Sequence, residues 1–201
     1  MTKDFLETAY AERDVHETQS MYNAWSKSYE ADMGGNGYAT PARSAAALAE
    51  FATDLSLPLL DFGCGTGLAG QAFKDAGFSV IDGTDLSPEM IAQAEAKQVY
   101  RNLQTLDAEA PIPQDYPLMA AVGVIGAGAA PLSTLGSLLH ALTSGGLLGF
   151  SFNDHALADP QSVAHLNEWL DCGAARLLFA EHGEHLPAQG IESTVYVVEK
   201  A

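Results

Sequence analysis

The stretch Leu59-Leu-Asp-Phe-Gly-Cys-Gly-Thr-Gly-Leu-Ala-Gly70 constrains this 201-residue chain more than any other. An apolar run meets Asp61, then Gly63, Gly65 and Gly67 at alternate positions, then a segment of helical pattern. Glycine serves where backbone takes positive φ or must touch a ligand closely. The helix start beyond it presents unpaired N–H groups, which suit a carboxylate or phosphate. Strand, glycine loop and helix in that order form half of a βαβ unit. Gly65, Gly67 and Gly70 also fit the G-x-G-x-x-G spacing of dinucleotide sites. Taken alone, the loop therefore leaves a nicotinamide cofactor and another nucleoside equally open.

The rest of the chain repeats the alternation. FSVIDGTD reads as a strand, and SPEMIAQAEAKQ as a helix with Ser87 at its cap and Pro88 in its first turn. VYRNLQTLDA holds a third strand ending near Asp107, PLMAAVGVIG a fourth and LLGFSFND a fifth. Helical segments LSTLGSLLHALTSGG and DPQSVAHLNEWLDCG lie between and after them. The end, ARLLFAEHGEHLPAQGIESTVYVVEK, reads as two strands around a polar loop. Such alternation predicts an α/β, doubly wound, mainly parallel sheet, with one antiparallel strand in the final pair. Ahead of it, the first 35 residues are helical in pattern, Met33 to Arg43 is a Gly-rich break, and a helix follows from about Ala42 to Asp54. We read residues 1–201 as one domain, with 1–54 as lid helices and 55–201 as the core.

Between Tyr116 and Asn153 the only side chain able to carry a charge is His140. A membrane-crossing helix needs about 20 consecutive apolar residues. Repeated glycines and Pro131 break this run, so it reads as strand, loop, helix and strand inside a covered sheet. Nine basic residues against 26 acidic ones give a net charge of −17, and the basic ones form no stripe. That excludes nucleic acid and an anionic membrane as expected partners. Cys64 and Cys172 make neither a disulfide framework nor a metal pattern, and no signal-peptide pattern opens the sequence. A cytoplasmic protein without metal, monomeric or homodimeric, is the expectation.

Two acids add to the glycine loop. Asp85 follows at the end of the second strand, where a carboxylate can accept two ribose hydroxyls. Asp107 follows in turn at the end of the third. Ligands of a parallel sheet bind beyond the carboxyl ends of its strands. Asp61, Asp85 and Asp107 therefore offer one carboxylate each to an amine, a ribose and a base.

LDFGCGTG, TDLSPEMIAQA and LDAEAP resemble the successive cofactor motifs of class I S-adenosylmethionine-dependent methyltransferases. MYNAWSKSYEADM followed by Gly37-Tyr-Ala-Thr-Pro41 resembles the small-molecule branch, which includes ubiquinone/menaquinone-biosynthesis-like and Williams–Beuren-region methyltransferase-like proteins. The resemblance covers roughly residues 20–155. It implies a Rossmann-like seven-stranded sheet with N-terminal lid helices, and S-adenosylmethionine as cofactor. It implies Asp61 near the methionine ammonium, and Gly63, Cys64, Gly65 and Gly67 along the methionyl and ribose part. Asp85 would take the ribose hydroxyls, Leu86 and Met90 the adenine, and Asp107 with the Ala108 backbone the adenine amino group. Tyr22, Trp25 and Tyr29 would close over the methionine end. Where that branch has Tyr-Asp, this chain has Tyr29-Glu30.

Rival readings stand beside these. Tyr22, Trp25 and Tyr29 also have the spacing of a packed helix face. Cys64 suits a small packing residue, since no cation neighbours it. Val122-Gly-Val-Ile-Gly-Ala-Gly-Ala-Ala-Pro131 imitates a dinucleotide loop but ends on proline, so Gly123 is expected to line the site through its backbone. Among the histidines, His155 after the fifth strand is the expected general base. His182 and His185, in the loop before the last strand, are its competitors. The expected function is methyl transfer from S-adenosylmethionine to a small-molecule acceptor. The alternatives are a non-catalytic S-adenosylmethionine or nucleoside binder and an NAD-dependent oxidoreductase.

Overall fold

The computed structural model describes residues 5–11, 13–107, 109–126 and 128–201. Seven strands run in one sheet: β1 (Leu59–Phe62), β2 (Ile81–Asp85), β3 (Asn102–Thr105), β4 (Leu118–Ala121), β5 (Leu147–Asn153), β6 (Ala175–Leu186) and β7 (Ile191–Lys200). Their order is β3-β2-β1-β4-β5-β7-β6. The first five are parallel, and β7 lies antiparallel to both β5 and β6. The expected sheet is thus present, and its strand order reverses between β1 and β4. At that reversal, loops leave the sheet in opposite directions and open a crevice.

Helices cover both faces. They are α1 (Phe5–Ala9), α2 (Val15–Trp25), α3 (Tyr29–Gly35), α4 (Thr40–Phe51), α5 (Leu68–Asp75), α6 (Pro88–Lys97), α7 (Ser133–Ala141), α8 (Asp154–Leu157) and α9 (Pro160–Asp171). One core layer joins Leu48 of α4 and Phe73 of α5 to Leu59, Ile81 and Val197. The other joins Leu135, Leu138 and Leu139 of α7 and Leu166 of α9 to Met119, Phe150, Phe152 and Tyr196. With both faces covered, β4 is buried along its whole length, as a central parallel strand requires. The apolar run between Tyr116 and Asn153 is resolved into β4, α7 and β5, and no helix among the described residues is long and apolar enough to cross a membrane.

Three details depart from the sequence reading. The third strand ends at Thr105, so Asp107 stands in the loop beyond it. The final hairpin turns at residues 187–190, which puts His182 and His185 on β6 itself, and a bulge between Glu184 and Leu186 adjusts its register. Within the segment read as lid, α4 packs on β5, β7 and α5 as a layer of the core. Among the described residues, α1 to α3 gather around a small cluster of Ala9, Trp25, Met33 and Leu186.

Candidate functional site

A cavity of about 1330 Å³ opens over the carboxyl ends of β1, β2 and β4. Its floor is the glycine loop, and each glycine there has a different reason. Gly65 (φ +55°) has open space where a Cβ would stand, so its backbone faces the cavity bare. Gly63 (φ +70°) makes room for Val124, whose methyl would lie 2.5 Å from a Cβ. Gly67 (φ +89°) caps α5 and packs on Lys97 and Tyr100. It does not line the cavity, where its expected role would place it. Gly70 admits the Tyr100 hydroxyl, which a Cβ there would overlap. That explains the third glycine of the dinucleotide-like spacing without any ligand.

Tyr100 reaches in to donate to Asp61 Oδ2 at 2.7 Å. Asp61 is only 1% exposed and lies behind the loop rather than on the cavity wall. Its Oδ1 has no partner among the described residues. Burial pushes this carboxyl up to about 7. The Tyr100 hydroxyl works against that shift, and the Asp85 charge adds to it. Asp61 thus stands behind the loop, with one oxygen held by Tyr100 and the other open among the described residues.

Asp85 does line the cavity. Its Oδ2 accepts from the Gly65 N–H and its Oδ1 from the Ser87 N–H, both at 2.8 Å. These bonds fix the carboxylate, while each oxygen keeps a lone pair for a ligand hydroxyl. Burial raises its pKa, and the N–H groups of Ser87, Gly65 and Leu86 oppose the shift. Leu86 and Met90 lie beside it on the wall, with Asp107 beyond. Ala108, expected next to Asp107, falls outside the described residues.

Of the aromatic trio, Tyr22 and Tyr29 line the cavity and Trp25 does not. Trp25 is 2% exposed, packs against Phe5, Tyr22 and Tyr29, and donates from Nε1 to Asp32 Oδ2 at 2.7 Å. It fills the lid's own core. Glu30, at the departure from the Tyr-Asp pattern, pairs with Lys97 at 2.7 Å and ties α3 to α6. Cys64, a free thiol, lines the cavity, and burial raises its pKa well above the ordinary value. Gly123 (φ +69°) lines it too, and its missing Cβ makes room for the Tyr38 hydroxyl. Its N–H donates to Ser151 Oγ at 2.9 Å. His155, on α8, stands at the far wall with Ala156. Among the described residues no group of three metal-ligating side chains occurs.

Several groups escaped the sequence reading. Thr66 and Thr84 line the cavity, are 1% and 3% exposed, and leave their Oγ1 atoms without a partner among the described residues. Two orphaned hydroxyls beside the bare Gly65 are what a polar ligand would satisfy. Tyr38 closes the wall opposite, and burial raises the pKa of the Tyr22, Tyr29 and Tyr38 phenols, so all three remain donors. The lid is latched at the second strand end: Gln19 Nε2 donates to the Leu86 carbonyl (2.8 Å), and Ser87 Oγ to Asn23 Oδ1 (2.6 Å). Ser87 also caps α6 by accepting from the Met90 N–H, as its sequence position predicts. No local pattern marks the threonines, because their role depends on burial alone.

Residues 60–148 match the family model described as a methyltransferase domain. Methyltransferase-like protein 27 of Homo sapiens is 30% identical over 150 residues, covering 71% of this chain and 60% of that protein. The ribosomal protein L11 methyltransferase of Klebsiella pneumoniae subsp. pneumoniae is 38% identical over 96 residues, 46% of this chain and 32% of that one. The chain thus spans less than two thirds of the length of either relative. Among solved structures, magnesium protoporphyrin IX methyltransferase (ChlM) of Synechocystis PCC 6803 with bound SAH superposes with a TM-score of 0.68 at 14% identity, covering 94% of this chain and all of that one. The [4+2]-cyclase SpnF superposes with a TM-score of 0.67 at 16% identity, covering 96% of this chain and 98% of that one.

Proposed function

We propose, from the premise that residues 60–148 belong to the methyltransferase domain family and sit in the class I methyltransferase fold, that this chain transfers a methyl group from S-adenosylmethionine to a small-molecule acceptor. The carrying observation is one cavity that joins the bare Gly65 loop, the orphaned Thr66 and Thr84 hydroxyls, the fixed Asp85 carboxylate and Asp107. These residue types suit the ribose, adenine and methionyl parts of the cofactor. Asp85 would hold the ribose hydroxyls, Leu86 and Met90 would flank the adenine, Asp107 would accept from its amino group, and Gly63, Cys64 and Gly65 would lie along the methionyl part. Tyr22 and Tyr29 would close over it.

When bound, the cofactor supplies a sulfonium-activated methyl group. The chain's own work is alignment, which can be worth about 7–11 kcal/mol of barrier. The lid latches hold Tyr22 over the strand ends, and the apolar side chains of Val124 and Leu132 on the cavity wall keep water from the reacting atoms. A general base adds about 10²–10⁴-fold where the acceptor must lose a proton. His155 is the base we assign, on the wall away from the cofactor loop. A single-ligand pocket runs to about 300–1,000 Å³. This cavity exceeds that, which supports a second molecule over β4 and β5 beside the cofactor. The helices over its mouth favour a small acceptor over a protein surface. A cytoplasmic setting belongs to the same reading, since both cysteines are free thiols.

The fold serves other chemistry as well, as the cyclase neighbour illustrates. The test is therefore twofold. Calorimetric titration with S-adenosylmethionine, S-adenosylhomocysteine and NAD is expected to show binding of the first two alone. Incubation with methyl-labelled cofactor and a small-molecule panel is then expected to give labelled product. NAD binding in place of the sulfur nucleosides refutes the cofactor, and binding without transfer to any acceptor favours a non-catalytic nucleoside binder.

A further inference from the structure

Behind the far wall of the cavity runs a chain of buried polar groups that methyl transfer as described leaves unused. It starts at Arg43 on α4, whose Nη1 donates to the Glu184 carbonyl (2.9 Å), the Ser193 carbonyl (3.1 Å) and the Ser193 hydroxyl (3.2 Å). Ser193 Oγ lies 3.0 Å from Thr40 Oγ1, and Thr40 Oγ1 lies 2.8 Å from His185 Nδ1. On the ring's other side, His185 Nε2 is 3.5 Å from the Tyr10 hydroxyl. The Tyr10 ring in turn stacks on His155, with centroids 4.2 Å and planes 22° apart. Thr40, His185 and Ser193 are all buried.

Arg43 gives this chain a direction. A guanidinium has only donors and no acceptor. Ser193 Oγ accepts from Arg43, and since Thr40 is its one other side-chain partner among the described residues, its own proton is satisfied only by pointing to Thr40. Thr40, having accepted, sends its proton on to His185 Nδ1. That nitrogen is then an acceptor, and the ring N–H stands at Nε2, facing the Tyr10 oxygen. Burial holds the His185 imidazole down to about 4, with Asp154 opposing the shift and Arg43 and His155 adding to it, so the ring is neutral at pH 7.

We propose that His185 is a positioning residue for the acceptor end: as its Nε2–H tautomer, fixed from Arg43 through Ser193 and Thr40, it donates to the Tyr10 hydroxyl and holds that phenol ring against His155. His155 sits on the short helix α8 and is exposed, so little else restrains its ring. The segment carrying Tyr10 is seated independently. A Cβ on Gly128 (φ +80°) would overlap the Ala9 carbonyl, so only glycine there lets the end of α1 dock. Lid, strand β6 and helix α8 thus meet through one stacked pair. The inference rests on the assignment of His155 to the acceptor end; its test does not.

The experiment is NMR on the full chain with ¹⁵N-labelled histidine, at pH 7. The expected result is a neutral His185 ring protonated at Nε2, and a His155 Hε1 resonance shifted upfield by the Tyr10 ring. Y10L should abolish that shift. Y10F and H185L, which remove the anchoring bond, should reduce it, and H185Q, whose amide can donate from the same place, should restore it. A His185 ring protonated at Nδ1, or a His155 shift that Y10F and H185L leave at its wild-type value, overturns the proposal. The tautomer is read on the wild-type protein, so it decides even where a variant fails to fold. Titration of the same wild-type sample with S-adenosylhomocysteine keeps the two readings apart. Absence of binding refutes the cofactor assignment, whereas binding with the wrong tautomer refutes only the role of His185.

Discussion

Replacing Asp61 by Asn tests whether the buried carboxyl behind the glycine loop is strained by its own charge. In the unfolded chain this group ionises near 3.8, and in the folded one burial pushes it up to about 7. The folded state therefore prefers the protonated form. The stability linked to this group is fully present below pH 3.8, declines between there and about 7, and is constant above. Each pH unit in that window costs the wild-type fold about 1.4 kcal/mol. The penalty is then about 2 kcal/mol at pH 5 and about 4 kcal/mol at pH 8. The asparagine side chain cannot ionise, so the variant escapes this penalty. Its amide oxygen can still accept from Tyr100, and the burial of its NH₂ group costs the same at either pH. Other carboxylates titrate alike in both proteins and cancel. Urea unfolding of wild type and D61N should thus show the difference moving in the variant's favour by about 2–3 kcal/mol between pH 5 and pH 8. A difference that stays constant across that range would refute the buried-charge argument, and with it the claim that Tyr100 offsets only part of the desolvation of Asp61.

The remaining expectations concern the cavity itself. G65A should abolish S-adenosylhomocysteine binding, with a stability loss limited to left-handed backbone strain of about 1–2 kcal/mol. G63A should destabilise more, because its Cβ would lie 2.5 Å from Val124. Thermal melts with and without ligand separate the two, and the same outcome for both variants would undo the distinction. D85A should weaken cofactor binding by roughly 1.5–3 kcal/mol, read by calorimetry, since it removes a charged acceptor and releases the Gly65 N–H. T84V deletes an orphaned hydroxyl, so the free protein should melt no lower than wild type. The same variant should weaken cofactor binding by about 0.5–1.5 kcal/mol. Unchanged affinity would mean that the hydroxyl meets no ligand.

The parts of this site that the sequence made legible are those held by local chemistry. The Ser87 cap and the bond from the Ser87 N–H to the acid at the end of β2 are each set by residues within a few positions, where turn and cap rules operate. What stayed hidden depends on partners far along the chain. Asp61 looks like a wholly open ligand group until Tyr100, from beyond α6, is seen to occupy one of its oxygens. Gly70 looks like part of a dinucleotide motif for the same reason, because only the Tyr100 hydroxyl explains its missing side chain. Trp25 and Tyr22 share one helix and one aromatic pattern, yet one fills the lid's core and the other faces the cavity. A single apolar stripe serves both surroundings, so no polar boundary tells them apart. Thr66 and Thr84 are ordinary residues until burial strips them of water, which turns a hydroxyl into an unmet demand for a partner. His185 read as a loop residue because HGEH is polar, whereas β6 continues through it as the outermost strand. Its two ring nitrogens find their partners on α4 and beside α1, which no spacing within one segment could have announced. Function in this fold is thus written twice. It is legible locally where backbone meets the ligand, and it becomes visible only after folding where side chains from distant segments cancel or orient one another's polarity.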